Sequence, residues 1–194
     1  MYVQATEVII MNKTEPIRDL VTIKKIEKYL KETDTRDYVM FKCFLYLGLR
    51  TQDLLSLRVK DLRHKARFIF KEQKTNKTKV IEIHPELSEV LEIYTEKMDE
   101  DDPLFASQKR NEDGSLRPLS REQAFRRLQR AGQRVGVDLS GHVLRKTFCY
   151  HAHKNGTPLY VLSEVLNHSS EAVTRKYIGL NQENIREAYL SVSF

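Results

Sequence analysis

The chain predicts a single α+β domain, mainly helical, with one small antiparallel sheet. Three observations predict it. Apolar residues recur at helical spacing along much of the length, as in Ile17, Leu20, Ile23, Ile26 and Leu30. Two short runs rich in β-branched and aromatic residues, Arg67-Phe-Ile-Phe and Lys79-Val-Ile-Glu-Ile, flank a polar turn from Glu72 to Thr78 and read as one hairpin. Finally, 194 residues suffice for one well-buried domain, and 40% apolar content belongs to a globular chain.

The elements follow in order. Residues 1–15 read as a tail or a strand, and Thr14-Glu-Pro starts the first helical region. Asp34 or Thr35 can cap the next helix, where Tyr38 to Leu47 is apolar almost all round, as in a central buried helix. Gly48 closes it. Thr51 can cap a short helix whose Leu54, Leu55 and Leu57 face inward, and after the hairpin His84-Pro85 leads into a helix from Glu86 to Lys97. The acidic loop beyond it, with turns marked by Pro103 and Gly114, is expected to be flexible. Ser120 and Gln123 form a capping box for a helix to Val135, with Phe125, Leu128 and Val135 buried and Arg121, Arg126, Arg127, Arg130 and Arg134 around the remainder. His142 and Arg145, three apart, share one face of a further helix. Gly156 ends that helix, Pro158 opens the next, and Leu159, Leu162, Val165 and Leu166 bury it with His168 at its end. Tyr177 follows, and a last helix from Gln182 to Leu190 has Ile185, Ala188 and Tyr189 on its apolar side.

Composition excludes several classes. No apolar run approaches the roughly 18 residues that a membrane span requires. The opening MYVQATEVII has no basic region leading into an apolar core, so no secretory signal is read there. Cys43 and Cys149 sit in apolar helical patterns and read as buried free thiols of a reducing compartment; no Cys-x-x-Cys pair suggests zinc. His151 and His153, two apart, point away from each other on a helix, and neither is read as a metal ligand. The net charge is +6 and uneven: Lys60 to Lys79 holds eight lysines and arginines against Asp61 and Glu72, and a second basic block runs from Lys109 to Arg134. Such a face suits a polyanion, nucleic acid being the usual one, though charge alone is equally met by a solvated surface.

Four residue types carry chemistry. Arg50 and Arg145, if brought together, could grip the two non-bridging oxygens of one phosphate; the bland alternative is an ordinary ion pair such as Arg50 with Asp53. Tyr177 is a candidate nucleophile whose phenol, with a pKa of about 10, needs nearby arginines to favour phenolate and His142 or His168 to take its proton. Lys74, on the mobile turn QKTNKTK, could protonate a leaving oxygen without a metal, with Lys71, Lys77 and Lys79 competing for that role.

Taken together, these stretches resemble the catalytic domain of the tyrosine recombinases, the phage-integrase family. GLRTQDLLSL is similar to the family's first arginine box, with Arg50 as its cation and Asp53 in the place of its supporting acid. HVLRKTF resembles the His-x-x-Arg box, VLNHSS the usual Leu-Gly-His with Asn167 for glycine, and RKYIGL the nucleophile segment. Small departures are Leu47 where threonine is frequent and Lys146 where histidine is common. The likeness covers residues 16–180, leaving 181–194 as a C-terminal segment. It implies that Tyr177 attacks a DNA phosphate, forms a 3′-phosphotyrosine link and releases a 5′-hydroxyl, with Arg50, Lys74, His142, Arg145 and His168 in support and with no metal, ATP or other cofactor. It further implies double-stranded DNA as partner, a homotetramer on paired sites and accessory DNA-bending proteins. The basic blocks offer Lys71, Lys77, Lys79, Arg121, Arg126, Arg127 and Arg130 to the DNA, and Ile185, Tyr189 and Leu190 of the last helix are candidates for contact with a neighbouring protomer, the alternative being packing on their own core. A cytoplasmic, nucleoid-associated protein is expected, either a catalytic fragment or a short natural form similar to the fimbrial-switch recombinases. A DNA-binding regulator that no longer cuts and a type IB topoisomerase-like relaxing enzyme are the competing readings.

Overall fold

The computed structural model describes residues 14–192. The N-terminal tail or strand read from the sequence lies, up to residue 13, outside them. Ten helices and two hairpins appear in the described residues: α1 (Leu20–Thr33), α2 (Thr35–Leu47), α3 (Thr51–Leu55), α4 (Val59–Leu62), β1 (Arg67–Lys71), β2 (Thr78–Glu82), α5 (Pro85–Thr95), β3 (Ala106–Arg110), β4 (Leu116–Pro118), α6 (Arg121–Val135), α7 (Gly141–Lys154), α8 (Leu159–Leu166), α9 (Glu171–Tyr177) and α10 (Leu180–Leu190). The mainly helical α+β reading holds.

Helix α2 is the hub. Its apolar circumference buries Val39, Met40, Phe41, Cys43, Phe44 and Leu47, and α1, α5, α6 and α7 pack around it. Asp34 caps it by accepting from the Asp37 N–H, and Gly48 closes it in the left-handed region at φ 57°. A Cβ at Gly48 would stand 2.3 Å from the Phe148 ring of α7, so only glycine lets the chain turn this close. A second, smaller core of Cys149, Tyr150, Leu159, Leu166, Ile178 and Leu180 seats α8 and α9 against α7. Both cysteines are free and buried, and burial pushes both thiols up, Cys149 to about 12.

Several boundaries differ from the sequence reading. The first helix starts at Leu20, not at Thr14, because the Asp19 carboxylate accepts from the Val21 and Thr22 N–H groups and caps it there. Helix α3 does begin at Thr51, but without a side-chain cap. Helix α5 stops at Thr95, whose hydroxyl bonds the Leu91 carbonyl, and α10 starts at Leu180. The expected flexible loop folds as a second hairpin, β3–β4, with a register irregularity between Ala106 and Arg110. Sparse apolar residues hid that hairpin from a pattern search. On α6, Phe125 is half exposed, and the buried stripe is Ala124, Leu128, Ala131 and Gly132, small residues that allow close approach. Ile185, Tyr189 and Leu190 of α10 are exposed, while the Ala188 side chain lies outside what is described.

Candidate active site

The last carbonyls of a helix lack intrahelical partners and carry partial negative charge. At the end of α8 those carbonyls collect three cations. Leu166 O accepts from Arg50 Nη2 and from Arg145 Nη2, each at 3.3 Å, and Val165 O accepts from Lys79 Nζ at 2.7 Å. The two arginines that the sequence separates by about half the chain therefore share one acceptor. Arg145 is buried and also donates to Gly48 O, the carbonyl at the α2 turn. Burial and, after the opposing pull of Tyr177, the neighbouring Arg50 hold its pKa below the usual guanidinium value.

Close packing brings His142 to the same rim. A Cβ on Gly141, the first residue of α7, would stand 2.3 Å from Thr51 Oγ1 and 2.8 Å from the Phe44 ring. Helix α7 thus begins directly against α3, the helix that follows Arg50. A cleft there is lined by Arg50, Asp53, Lys74, Arg121, His142 and Arg145.

The turn that carries Lys74 is anchored rather than mobile. Strands β1 and β2 pair without a break from Arg67↔Glu82 to Lys71↔Thr78. The Gln73 N–H donates to Asp53 Oδ1 at 3.1 Å, and Thr75 Oγ1 donates to Glu72 Oε2 at 2.7 Å, so the residues on both sides of Lys74 are fixed. Asp53 is buried and lies 3.9 Å from Arg50, so its close contact is with the hairpin. Arg50 instead faces Glu72, with Nη1 2.9 Å from Oε2. Glu72 also accepts from Lys79 Nζ at 2.9 Å and from Asn167 Nδ2 at 2.5 Å. Burial opposes its charge, yet the bonds from Thr75, Lys79 and Arg50 pull its pKa down to about 2.

Tyr177 ends α9 and projects between the two histidines. Its ring stands edge-on to His142 at 5.3 Å and to His168 at 4.9 Å, and its hydroxyl lies 3.5 Å from His142 Nδ1. His168 follows Asn167, the left-handed cap of α8, and its Nδ1 meets Thr174 Oγ1 at 3.0 Å. Thr174 in turn meets Ser163 Oγ at 2.8 Å, a buried pair that fixes the ring. Burial, reinforced by Lys146 and Arg145 at His142 and by Arg145 and Arg50 at His168, lowers both imidazole pKa values and so favours the neutral rings. The phenol departs from expectation. Burial pushes Tyr177 up to about 12 and outweighs the arginines, so it keeps its proton until an acceptor takes it.

The outlying basic residues separate into two groups. Lys71 and Lys77 on the hairpin and Arg121, Arg126 and Arg130 on α6 are exposed. Lys79 does not belong with them: it is half-buried against Glu72 and Val165. Arg127 does not either, because it bridges Asp34 and Asp37 at 3.0 and 2.9 Å and pins α6 to the α1–α2 junction. His151 and His153 bond the Ile17 and Thr157 carbonyls. Sequence reasoning missed Glu72, Asn167 and Thr174. The available signals were Glu72 itself, a lone acid among the lysines of a hairpin turn, and Asn167, noted above only as standing in place of glycine.

Residues 17–184 match the phage integrase family, and the chain belongs to it. It is similar to the probable integrase/recombinase YoeC of Bacillus subtilis, 37% identical over 180 residues that span 92% of this chain and 97% of that one. It also resembles tyrosine recombinase XerA of Thermococcus onnurineus, 28% identical over 86% of this chain but only 58% of the relative. In fold it matches the Tn1549 transposon integrase solved in complex with transposon right end DNA, with a TM-score of 0.71 and 14% identity over 94% of this chain and 68% of that one.

Proposed function

We propose that this protein is a site-specific DNA recombinase that cuts and rejoins strands through a 3′-phosphotyrosine link at Tyr177. The observation that carries the reading is convergence: Arg50, His142 and Arg145 line one cleft with Lys74, the two arginines share the Leu166 carbonyl, and Tyr177 stands between His142 and His168. Arg50 and Arg145 bind the non-bridging oxygens of the scissile phosphate, where charge builds toward the five-coordinate transition state. The neutral His142 accepts the phenol proton as Tyr177 Oη bonds to phosphorus. His168, with Nδ1 held by Thr174, offers Nε2 to a phosphate oxygen. The bond from phosphorus to the 5′-oxygen breaks, and Lys74 gives that oxygen its proton. The freed hydroxyl of a second strand reverses the step on the new partner, so bond energy is conserved and neither ATP nor metal takes part.

The exposed Lys71, Lys77, Arg121, Arg126 and Arg130 make the phosphate contacts along the duplex, and their exposure supports a DNA-associated protein. Recombination between two duplexes needs four protomers, and the exposed Ile185, Tyr189 and Leu190 of α10 supply an apolar face for a neighbour. Accessory DNA-bending proteins fit such an assembly.

The test uses nicked duplexes tiled from DNA flanking the gene, incubated without metal and run on a denaturing gel. The nick lets the short leaving strand diffuse away and traps the covalent intermediate. A slow band from the native protein, lost in Tyr177→Phe while DNA binding persists, is the expected result. An adduct that survives in Tyr177→Phe would move the nucleophile elsewhere, and retained binding with no adduct from the native protein would favour a non-cutting regulator.

A further inference from the structure

Glu72 is the one acid in a turn otherwise charged by Lys71, Lys74, Lys77 and Lys79. A carboxylate in an element that faces DNA weakens phosphate binding unless its charge is consumed locally. Here it is consumed. The side chain is buried, and each of its close partners is a donor: Thr75 and Asn167 on Oε2 together with Arg50, and Lys79 on Oε1. These partners come from three segments remote in sequence: the α2–α3 turn with Arg50, the hairpin with Lys74, and the α8–α9 turn whose Asn167 precedes His168.

We propose that Glu72 is a positioning residue for strand cleavage, holding Arg50 and the Asn167–His168 turn in register with the hairpin that presents Lys74. The assignment rests on the recombinase reading above. Its physical basis is the shape of the Arg50 contacts. Nη2 reaches Leu166 O at a long 3.3 Å, while the buried Nη1 makes no hydrogen bond among the described residues and lies in ion-pair range of two carboxylates, Glu72 at 2.9 Å and Asp53 at 3.9 Å. Without the Glu72 charge, a single long bond would orient the guanidinium, and it could rotate away from the cleft. Glutamine is the diagnostic replacement. Its shape is the same, but its NH₂ would be forced against Lys79 or against the Arg50, Thr75 and Asn167 donors. A role limited to holding the fold would instead be met by any replacement that packs.

The experiment has two arms. In the DNA-free protein, the arginine side-chain NMR signal of Arg50, assigned by its loss in Arg50→Lys, should show restricted guanidinium rotation in the native chain and free rotation in Glu72→Gln. On nicked duplex at saturating DNA, Glu72→Gln should form the covalent adduct roughly 10- to 100-fold more slowly, the range for losing a group that orients a reacting one. DNA affinity should stay within about 3-fold, since no phosphate contact is removed. Glu72→Asp keeps the charge one methylene back, should fall between the two, and carries the test if the glutamine variant does not fold. Unchanged Arg50 rotation, a native or faster cleavage rate, or a loss confined to DNA affinity each overturns the assignment. If the native protein forms no adduct, the recombinase reading is what fails, and the NMR arm still decides whether Glu72 holds Arg50.

Discussion

Two arginine–carboxylate clusters, built from the same groups, do opposite work in this molecule. At the α1–α2 junction Arg127 and Arg36 face Asp34 and Asp37, two cations on two acids, with Arg127 bonded to both acids and Arg36 3.7 Å from each. That cluster is balanced, and it joins α6 to the hub helix. At the end of α8, among the described residues, Arg50, Arg145 and Lys79 stand with two acids, Glu72 and Asp53, Lys74 lines the adjoining cleft, and helix carbonyls hold the three clustered cations. Carbonyl dipoles can keep a cation in place without cancelling its charge. A balanced cluster therefore reads as packing, and an unbalanced one, open to a cleft, reads as a site for an anion.

The widest separation between the clusters comes from substituting one arginine in each. Arg50→Lys keeps the charge but loses the planar fork, and should slow adduct formation on the order of 10³-fold with little change in melting temperature. Arg127→Met should leave the adduct rate per folded molecule within about 3-fold while costing roughly 2–3 kcal/mol of stability, because it leaves two partly buried carboxylates with Arg36 as their remaining cation. Single-turnover gels and thermal melts on both variants check this, and a reversed pattern would exchange the roles of the clusters.

Smaller effects sharpen the site itself. Lys74→Ala should lose about 10²-fold on ordinary DNA and recover when sulfur replaces the leaving 5′-oxygen, since a thiolate departs without an acid. If Lys79→Ala is rescued by sulfur instead, the general acid lies one strand further along. The adduct rate should be level between pH 8 and 7 and fall in acid, because protonating His142 or His168, whose pKa values lie below the usual imidazole value, removes the acceptor and the neutral ring. With Tyr177 near 12, no phenolate gain appears over that range; a rate that rises toward acid would assign the active form to imidazolium. Thr174→Val should cost roughly 10-fold by releasing the His168 ring, with DNA affinity unchanged in a filter-binding assay.

Acid unfolding should read out the same network. Glu72 has a folded pKa of about 2 against about 4.3 in an unfolded chain, so its stabilisation is complete above the unfolded value and is lost as pH falls from there toward 2. Burial of Lys79, whose own pKa is held down, offsets part of that gain. Glu72→Gln should flatten this portion of a stability–pH curve measured by urea unfolding.

Much of this was legible beforehand, for identifiable reasons. Apolar periodicity located the buried helices, the Ser120–Gln123 capping box fixed where α6 starts, and Gly48 marked the end of α2. The β1–β2 hairpin was visible because its strands are β-branched and aromatic. The β3–β4 hairpin, with Ala106-Ser-Gln-Lys-Arg and Leu116-Arg-Pro, carries no such pattern and is formed by pairing alone. Phe125 sits at helical spacing yet faces outward, since periodicity cannot say which of two stripes the core will take.

The sequence by itself determined the family's ordered boxes, and with them the candidates Arg50, His142, Arg145, His168 and Tyr177, because helical spacing and motif order are local properties. Only the tertiary structure decided that Arg50 and Arg145 share the Leu166 carbonyl, that Lys79 and Arg127 are engaged by carboxylates, and that Glu72 ties three segments together. Those contacts join residues up to 116 positions apart, and a charged side chain takes its role from whichever partners burial leaves beside it.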